Sequence, residues 1–509
     1  MRRIGITFLA LAWANAAPAQ TASRPSKAAT AAVATITAGD VARRVGIIAH
    51  DSMGGRDTPS RGLDLTAQYV ADEFRRFGLE PAGDSGTFLQ HYGMSRWQVD
   101  PTKSQVMLTA GGTTVTAPFG RAARYAMGAV PAGPATGPVV VVGGKPEITS
   151  VAAGDYTNRV VLVVLPSGQV LSREVQAAIA AQRPAAIVPV STLDSASFAQ
   201  RAAQVRPRVV TDGDAPRPLT VEVQEQAIAP ALSAAGVDLA SVRASTGSVV
   251  REVAGSRAAV TVTETLLERR TAPNTVGILR GSDPALAGEY VVFSAHMDHV
   301  GHSRDGRCAA MGADSICNGA DDDASGTVGV VELAEAFARK GVRPKRSMIF
   351  LAVSGEEGGL RGSRYFTEKP PVPIGQMVAN INMDMIGRNW PDTIVAIGRE
   401  HSDLGATLDR VQAAHPELGM AVIDDIWPQE NFYRRSDHFN FARKGVPILF
   451  FFNGVHDDYH RPSDHPDKID ADKEARIVRM VFWLGLEIAN AAQRPKWNEA
   501  SYRDIVAVR

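Results

Sequence analysis

The sequence predicts an α/β protein in which a mixed, mostly parallel sheet is flanked by helices and interrupted by an inserted β-rich domain. Apolar strands alternate with helical segments after Pro273, the pattern of a parallel sheet covered on both faces. Short β-branched runs separated by Gly and Pro fill residues 119–250, which is typical of a compact domain with its own core. At 509 residues the chain exceeds the size at which one core keeps growing, so we expect at least two domains.

The alternating region supplies the strands of the main sheet. The predicted elements are strands at 290–295, 347–353, 378–381 and 447–452, and a helix at 327–340. In sheets of this kind, ligands bind beyond the carboxyl ends of the strands. The residues that follow each strand are therefore the candidates for function.

The amino-terminal part begins with a predicted export signal. Arg2 and Arg3 precede an apolar run of residues 4–13 and then small residues that end at Ala19. The apolar run is about half of the roughly 20 residues that a membrane-spanning helix needs, so we expect no stable membrane insertion. We predict a secreted or periplasmic protein with a signal peptide at 1–19, a flexible lead-in at 20–36, the amino-terminal part of a main domain at 37–118, the insertion at 119–250 and the rest of the main domain at 251–509.

Composition narrows the possible partners. Lys plus Arg and Asp plus Glu both number 54, so the formal charge is zero and nothing favours a nucleic-acid partner. The insertion contains no histidine, which favours a packing or lid module without chemistry of its own.

The two cysteines, Cys308 and Cys317, lie in one polar loop, and export to an oxidising compartment favours a disulfide between them.

Acidic residues and histidines follow the strands of the alternating region. His296 and Asp298 end the first strand, Glu356 and Glu357 follow the second, and Asp384 follows the third. A run of three aspartates, 321–323, opens the predicted helix, and a further acidic segment, 457–464, contains a histidine. Two histidines and three acids suit two zinc ions, because zinc accepts imidazole nitrogen and carboxylate oxygen and a shared acid can bridge a two-metal site.

These motifs resemble those of the co-catalytic zinc exopeptidases, the group of bacterial leucyl aminopeptidases, glutamate carboxypeptidase II and glutaminyl cyclases. The resemblance covers residues from Pro273 to about Asp470 and extends to the helical amino-terminal part, and the insertion resembles a protease-associated domain. It implies a metallo-aminopeptidase with two zinc ions that acts on peptides. The implied ligands are His296 and Asp384 for one ion, Glu357 and His460 for the other, and Asp321 as the bridge.

The resemblance also implies roles for residues beside the ligands. Glu356 would be the general base for a water held between the ions, and Asp298 would accept the other ring hydrogen of His296. Tyr459 would stabilise the oxyanion, and Asp322 would be structural, next to a strained peptide that joins it to Asp321. The candidates for the substrate site are Asp437, His438 and Trp427.

Several alternatives stay open at this point. His299, His302, His456 and His465 also lie near the motifs, but a loop after Asp298 and flanking positions favour other roles for them. A carboxypeptidase would use cations such as Arg388, Arg434 or Arg435 to hold a terminal carboxylate. A glutaminyl cyclase would work with one zinc, and a receptor-like binding protein of the same fold would have lost ligands or the base. The aspartate run lacks the alternating ligands and the final Glu of an EF-hand.

Overall fold

A computed structural model describes residues 26–204, 207–214 and 216–506 of the chain. The predicted signal peptide at 1–19 lies outside the described residues. Among the described helices, none combines the length and the apolar character that a membrane crossing requires. The chain divides into two compact units, one made of residues up to Gln90 and from Asn274 on, and the other of His91–Pro273.

The first unit is built on a sheet with a parallel centre. The strand Tyr290–His296 pairs in parallel with Ser347–Val353 on one side and with Met377–Met383 on the other. The latter strand pairs in parallel with Ile448–Phe452. The flanking pairs are antiparallel, with residues 275–279 beside the second strand and Thr393–Ile397 beside the last. The mixed, mostly parallel sheet that the sequence predicts is therefore confirmed, and its strands begin and end within a few residues of the expected positions.

Helices pack on this sheet and complete the core. The helix Ala38–Ile48 begins at a Thr37 cap, and Arg61–Phe77 begins at a Ser60 cap and ends at Gly78, whose φ of 81° is the left-handed conformation that glycine readily adopts. The central helix Gly326–Phe337 is buried along nearly its whole length, consistent with a helix enclosed by the core. The further helices of this unit are Lys27–Val33, Arg361–Glu368, Leu404–Ala414, His438–Ala442, Ala471–Asn490 and Glu499–Ile505.

The second unit has its own sheet and its own core. Ala135–Gly144, Val160–Val164 and Ala186–Ser191 pair in parallel, and the long strand Ser248–Thr261 pairs antiparallel with the first of them. Valines of these strands are buried on both faces of the sheet. Further elements of this unit include strands Gln105–Ala110, Thr113–Pro118, Ala123–Met127, Arg208–Thr211 and Thr220–Gln224, and helices Ile148–Ala152, Arg173–Ala181, Ser195–Ala203, Glu225–Ala234 and Leu239–Ala244. The predicted insertion at 119–250 lies within this unit, which begins and ends further out.

The predicted flexible lead-in at 20–36 needs a correction. From Lys27 to Val33 it is helical, and the Ser26 side chain caps the helix by accepting a hydrogen bond from Ala29. Ala29, Ala32 and Val33 are buried in this helix. A stretch rich in small residues was expected to behave as a linker, but small side chains also let a helix approach its neighbours closely.

Candidate metal centre and catalytic site

The carboxyl ends of the parallel strands bring imidazole and carboxylate groups to one edge of the sheet. His296 is the last residue of its strand, and Asp384 directly follows the strand Met377–Met383. Glu356 and Glu357 follow the strand Ser347–Val353 after Gly355, whose φ is 71°. These positions agree with the rule that parallel strands deliver functional groups at their carboxyl ends.

One cluster contains two histidines and two acids, and we call it the second metal group: His299, Asp322, Glu357 and His460. Their candidate ligand atoms all lie within 4.8 Å of one another. His460 Nε2 is 3.1 Å from both Asp322 Oδ2 and Glu357 Oε1. The pKa of Glu357 lies at about 2, because the imidazoles of His299 and His460 outweigh its burial and the nearby carboxylate of Asp322.

An adjacent cluster, the first metal group, consists of His296, Asp384 and the other oxygen of Asp322. His296 Nε2 is 3.3 Å from Asp322 Oδ1 and 3.5 Å from Asp384 Oδ1. Ser436 donates a hydrogen bond of 2.8 Å to the second oxygen of Asp384, which fixes the orientation of that carboxylate. Asp322 thus presents one oxygen to each metal group.

The structure corrects the expected place of Asp321. Its Oδ1 accepts a hydrogen bond of 2.7 Å from the amide of Gly387, and its Oδ2 lies 3.2 Å from Nε2 of His456. Asp321 therefore faces away from both metal groups, and Asp322 takes the position between them that the sequence assigned to Asp321. The cis peptide bond of this segment also lies one residue later than expected, between Asp322 and Asp323.

Asp323 is close to His296 but is held by the backbone. Its Oδ1 accepts hydrogen bonds from the amides of Gly326 and Met385, and its Oδ2 accepts one from the amide of His296. Its nearest oxygen is 4.0 Å from His296 Nε2, further than the oxygens of Asp322 and Asp384. Asp323 lies close enough to His296 and Asp384 to bind the same ion. Its hydrogen bonds, however, favour a structural role in which it connects the two strand ends to the helix.

His299 is the ligand candidate that the sequence argument missed. It was set aside because the residues after Asp298 were expected to form a loop, and they do. The loop nevertheless folds back so that His299 Nδ1 lies 3.0 Å from Glu357 Oε1 and 3.5 Å from Asp322 Oδ2. Sequence spacing carries no signal for this, because the turn that brings His299 inward depends on contacts with distant segments.

A buried arginine supports the loops that carry the ligands. Arg56 is fully buried and donates hydrogen bonds to the carbonyl oxygens of Ile48, Met297, Asn318 and Gly319. Burial lowers the pKa of its guanidinium to about 10, so it remains charged beside the acids of the site. Arg56 therefore links the loop after His296 to the segment that precedes Asp322.

The general-base candidate Glu356 lies among other acids. Its pKa is raised well above the usual value by burial and by the carboxylates of Asp437, Glu357 and Asp384, while His296 opposes the shift. The backbone amide of Glu356 donates a 3.2 Å hydrogen bond to Asp298 Oδ1. The same carboxylate oxygen is 3.7 Å from His296 Nδ1, whereas the backbone carbonyl oxygen of Asp298 is 3.1 Å from that nitrogen, so the ring of His296 faces the backbone of Asp298 and not the carboxylate that the sequence predicted as its acceptor.

Tyr459 lies against the second metal group. Its ring stacks on His460 with the centroids 3.8 Å apart. The pKa of its hydroxyl is raised by burial and by Asp322, Glu357 and Glu356, so the hydroxyl keeps its proton and can act as a hydrogen-bond donor.

The three substrate-site candidates have different environments. Asp437 is fully buried, and burial raises the pKa of its carboxyl to about 7. His438 is also fully buried; it stacks on Phe450 with the centroids 4.2 Å apart, and burial lowers its pKa to about 3. His438 therefore belongs to the packed core. Trp427 is partly buried and stacks on Trp390, of which 38% is exposed.

The other histidines near the motifs have neighbours outside the metal groups. His302 Nε2 is 3.1 Å from the hydroxyl of Ser315, and His465 Nε2 is 3.2 Å from Asp314 Oδ2. Cys308 and Cys317 form the predicted disulfide. Arg307, which directly precedes Cys308, donates a hydrogen bond to the carbonyl oxygen of Glu357.

The donors at these two groups fit zinc. His299 Nδ1, Glu357 Oε1 and His460 Nε2 are buried atoms without a hydrogen-bond partner among the described residues, which is unfavourable unless a cation satisfies them. Zinc binds imidazole nitrogen and carboxylate oxygen at about 2.0–2.1 Å, which places two ligands of a tetrahedral ion about 3.3 Å apart. The separations of 3.0–3.5 Å within both groups match that value.

A family model and several known proteins are similar to this chain. Residues 274–484 match the model described as Peptidase family M28. A protein of Arthroderma otae named "Probable leucine aminopeptidase" is 26% identical over 221 residues, covering 42% of this chain and 58% of the relative. "Leupeptin-inactivating enzyme 1" of Streptomyces exfoliatus is 30% identical over 158 residues, covering 30% of this chain and 34% of the relative.

A solved structure is similar over most of the chain. The aminopeptidase from Aneurinibacillus sp. strain AM-1 aligns with a TM-score of 0.48 and 16% identity, over 92% of this chain and 97% of its own. The matched part of this chain spans 58% and 34% of the lengths of the two curated relatives named above.

Proposed function

We propose, from the match of residues 274–484 to the model described as Peptidase family M28, that the protein is a zinc-dependent aminopeptidase that releases residues one at a time from the amino ends of peptides. The observation that carries the proposal is the position of Asp322, whose two oxygens face two separate groups of imidazole and carboxylate ligands. A carboxylate shared in this way is the arrangement that two-metal hydrolases use.

The protein would hold two zinc ions through six donor atoms of five residues. His296, Asp384 and Oδ1 of Asp322 would bind one ion, and Glu357, His460 and Oδ2 of Asp322 the other. When bound, zinc polarises a carbonyl oxygen and lowers the pKa of water to near neutral. Most of these side chains are buried, so the ligands are held in place before the substrate arrives.

Glu356 would move the proton in this reaction. As a carboxylate it accepts a proton from the attacking water, and as a carboxylic acid it passes that proton to the amine that leaves. The raised pKa of Glu356 suits this double role, because a base whose pKa lies nearer the working pH also releases its proton more readily. Asp298 keeps the backbone of Glu356 in position, and the Tyr459 hydroxyl would donate to the oxygen of the scissile carbonyl.

The surroundings of the cationic candidates favour amino-terminal over carboxyl-terminal cleavage. Arg388 lies 2.9 Å from Asp458, Arg434 lies 3.3 Å from Asp504, and Arg435 lies 3.0 Å from Glu430. A substrate carboxylate would have to compete with these acids for each guanidinium. The name of the Arthroderma relative agrees with this choice.

The test combines a substrate panel with metal removal. The purified chain is assayed with peptides that carry a free amino end, a blocked amino end or a blocked carboxyl end, before and after chelation and after zinc is restored. We expect hydrolysis only where the amino end is free, its loss on chelation and its recovery with zinc. Equal cleavage of amino-blocked peptides, release of carboxyl-terminal residues or undiminished hydrolysis by the metal-free protein would overturn the proposal.

A variant of the proposed base tests the mechanism. Glu356→Gln keeps the size of the side chain but removes its basicity, so kcat should fall by about 10²- to 10⁴-fold while the zinc content stays unchanged. Glu499→Gln, an exposed glutamate of the last helix, is the matched control and should keep full activity. Zinc content by elemental analysis separates a lost base from a lost metal. A measured content of one zinc per active chain would favour a glutaminyl cyclase.

A further inference from the structure

The ring of His299 is buried and has no hydrogen-bond partner for either nitrogen among the described residues. Its Nδ1 lies 3.0 Å from Glu357 Oε1, but the pair does not meet the geometric requirements of a hydrogen bond. Leaving a buried imidazole unsatisfied costs about 1–3 kcal/mol. The direction of Nδ1 therefore needs another explanation.

The four members of the second metal group surround one point. Nδ1 of His299 is 3.0 Å from Glu357 and 3.5 Å from Asp322, and Nε2 of His460 is 3.1 Å from each of the same two carboxylates. All four ligand atoms lie within 4.8 Å of one another. The four imidazole–carboxylate separations match the edges of a tetrahedron around zinc, and two imidazoles with two carboxylates are a ligand set that can fill all four positions of a zinc ion.

The first metal group is poorer in nitrogen. It offers one imidazole, that of His296, with oxygens of Asp322 and Asp384. Imidazole nitrogen suits zinc, whereas carboxylate oxygen also suits harder ions such as magnesium and manganese. A site with three protein ligands also keeps a position open for another molecule. The two groups therefore differ in both the number and the kind of their donors.

We propose that His299 is a direct ligand of the ion in the second metal group, and that this ion is consequently held more tightly than the ion beside His296. The inference rests on the proposed function, because it assumes that the protein binds zinc at these groups. The two sites would differ in affinity. The ion beside Glu357 would have four protein ligands and be held firmly, whereas the ion beside His296 would have an open position and exchange more readily.

Metal retention is the first test. The full chain is loaded with zinc, dialysed against graded concentrations of a chelator, and its zinc content is measured at each step. The wild-type protein should release its two ions in two separate steps. His299→Ala should lower the affinity of the tighter site by at least about tenfold and bring the two steps together. His302→Ala is the matched control, since it removes an imidazole three residues further on and should leave both steps unchanged.

Counting imidazoles on the wild-type protein is the second test, and it does not depend on whether a variant folds. Zinc X-ray absorption should indicate three imidazoles shared between two ions. Two imidazoles, or release of both ions in a single step from the wild-type chain, would overturn the inference. If two zinc ions bind with only two imidazoles and peptides are still hydrolysed, the proposed function stands and only the role of His299 fails. A chain that binds no zinc would overturn both.

Discussion

Three consecutive aspartates at the start of the central helix have three different environments. Asp321 faces the amide of Gly387 and the ring of His456, away from the metal groups. Asp322 faces three imidazoles, which lower its pKa well below the usual value although burial opposes the shift. Asp323 accepts backbone hydrogen bonds, and burial raises its pKa. One residue type thus serves three purposes, and only Asp322 is placed to bridge two ions.

This difference predicts a large loss of activity for one substitution and a small loss for its neighbour. Asp322→Asn should lower kcat/KM by about a thousandfold or more and reduce the zinc content, because several kcal/mol of transition-state stabilisation depend on the metal ions. Asp321→Asn should cost about 10- to 100-fold at most, since an amide can still accept from Gly387 and contact His456. Kinetics and zinc content of both variants check the prediction. A more severe effect at Asp321 would restore the original bridge assignment.

At the residue scale, the sequence predicted which segments carry the site but not every ligand. His296, Glu357, Asp384 and His460 are ligand candidates in the sequence because each follows a recognisable strand or lies in a distinct motif, and the structure brings their side chains close together. A run of identical acids offers no such marker, so the choice between Asp321 and Asp322 depended on a backbone conformation that the sequence does not display. His299 was missed for a related reason. It lies in a loop, and a loop has no periodic sequence pattern that predicts the direction of its side chains.

At the scale of elements, the site depends on how one short irregular segment packs against the loops. Residues 51–56 place Gly55 so close to the backbone that an added Cβ would lie 2.5 Å from the carbonyl oxygens of Gly301 and Cys317. The φ of Gly55 is 69°, so a larger residue would also be strained there. The amide of Gly301 donates to the carbonyl of Gly55, which continues this contact. The segment thereby brings Arg56 to the four carbonyl oxygens that it binds.

Arg56 is consequently predicted to be critical for stability. Arg56→Gln removes a buried charge that holds four carbonyl oxygens, and we expect a loss of about 3–5 kcal/mol in the free energy of unfolding. Arg61→Gln, at an exposed position five residues later, should change it by less than about 0.5 kcal/mol. Denaturant unfolding of the two variants measures both effects. Equal stabilities would mean that the loops hold their positions without the guanidinium.

Elements that are buried along their whole length are the ones that the sequence predicts most accurately. The strands at 290–296 and 347–353 are buried at every position, and such continuous apolar runs between turn residues are easy to recognise. The helix Lys27–Val33 was missed because its alanines carry no strong amphipathic signal, although Ser26 is a good cap. The second unit extends beyond the predicted insertion at 119–250, because strands such as Glu264–Leu279 continue past the region where the composition changes.

At the scale of the whole molecule, the proposed metal binding would be coupled to folding. The site gathers residues from Arg56 to His460, so it exists only when the first unit is folded, and any ion that binds the folded chain alone stabilises it. Without a cation, some acids of the site stay protonated, and others are stabilised as carboxylates by the neighbouring histidines. Burial and neighbouring acids raise the pKa of Glu356, and burial raises that of Asp437 to about 7.

This coupling predicts that the metal-free protein loses stability as the pH rises from about 6.5 to 8. His460 titrates at about 10 in the folded chain, because Asp322 and Glu357 outweigh its burial, and at about 6.5 when unfolded. The folded chain therefore binds the extra proton throughout this window, so its stability is present at the lower pH and falls as the pH rises. Asp437, with its raised pKa, acts in the same direction up to about pH 7.

Zinc should reverse this trend, because it needs deprotonated imidazoles and carboxylates and therefore binds more tightly as the pH rises. Thermal unfolding at pH 6.5 and pH 8, in chelator and in excess zinc, measures both effects. The Tm in chelator should fall between the two pH values, while the increase in Tm on adding zinc should grow. His460→Asn should flatten the decline in chelator, since it removes a group whose pKa is raised to about 10 in the folded chain. A metal-free chain that is more stable at pH 8 than at pH 6.5 would contradict the assignment. The protons would then not be held by the histidines and acids that face one another in the metal groups.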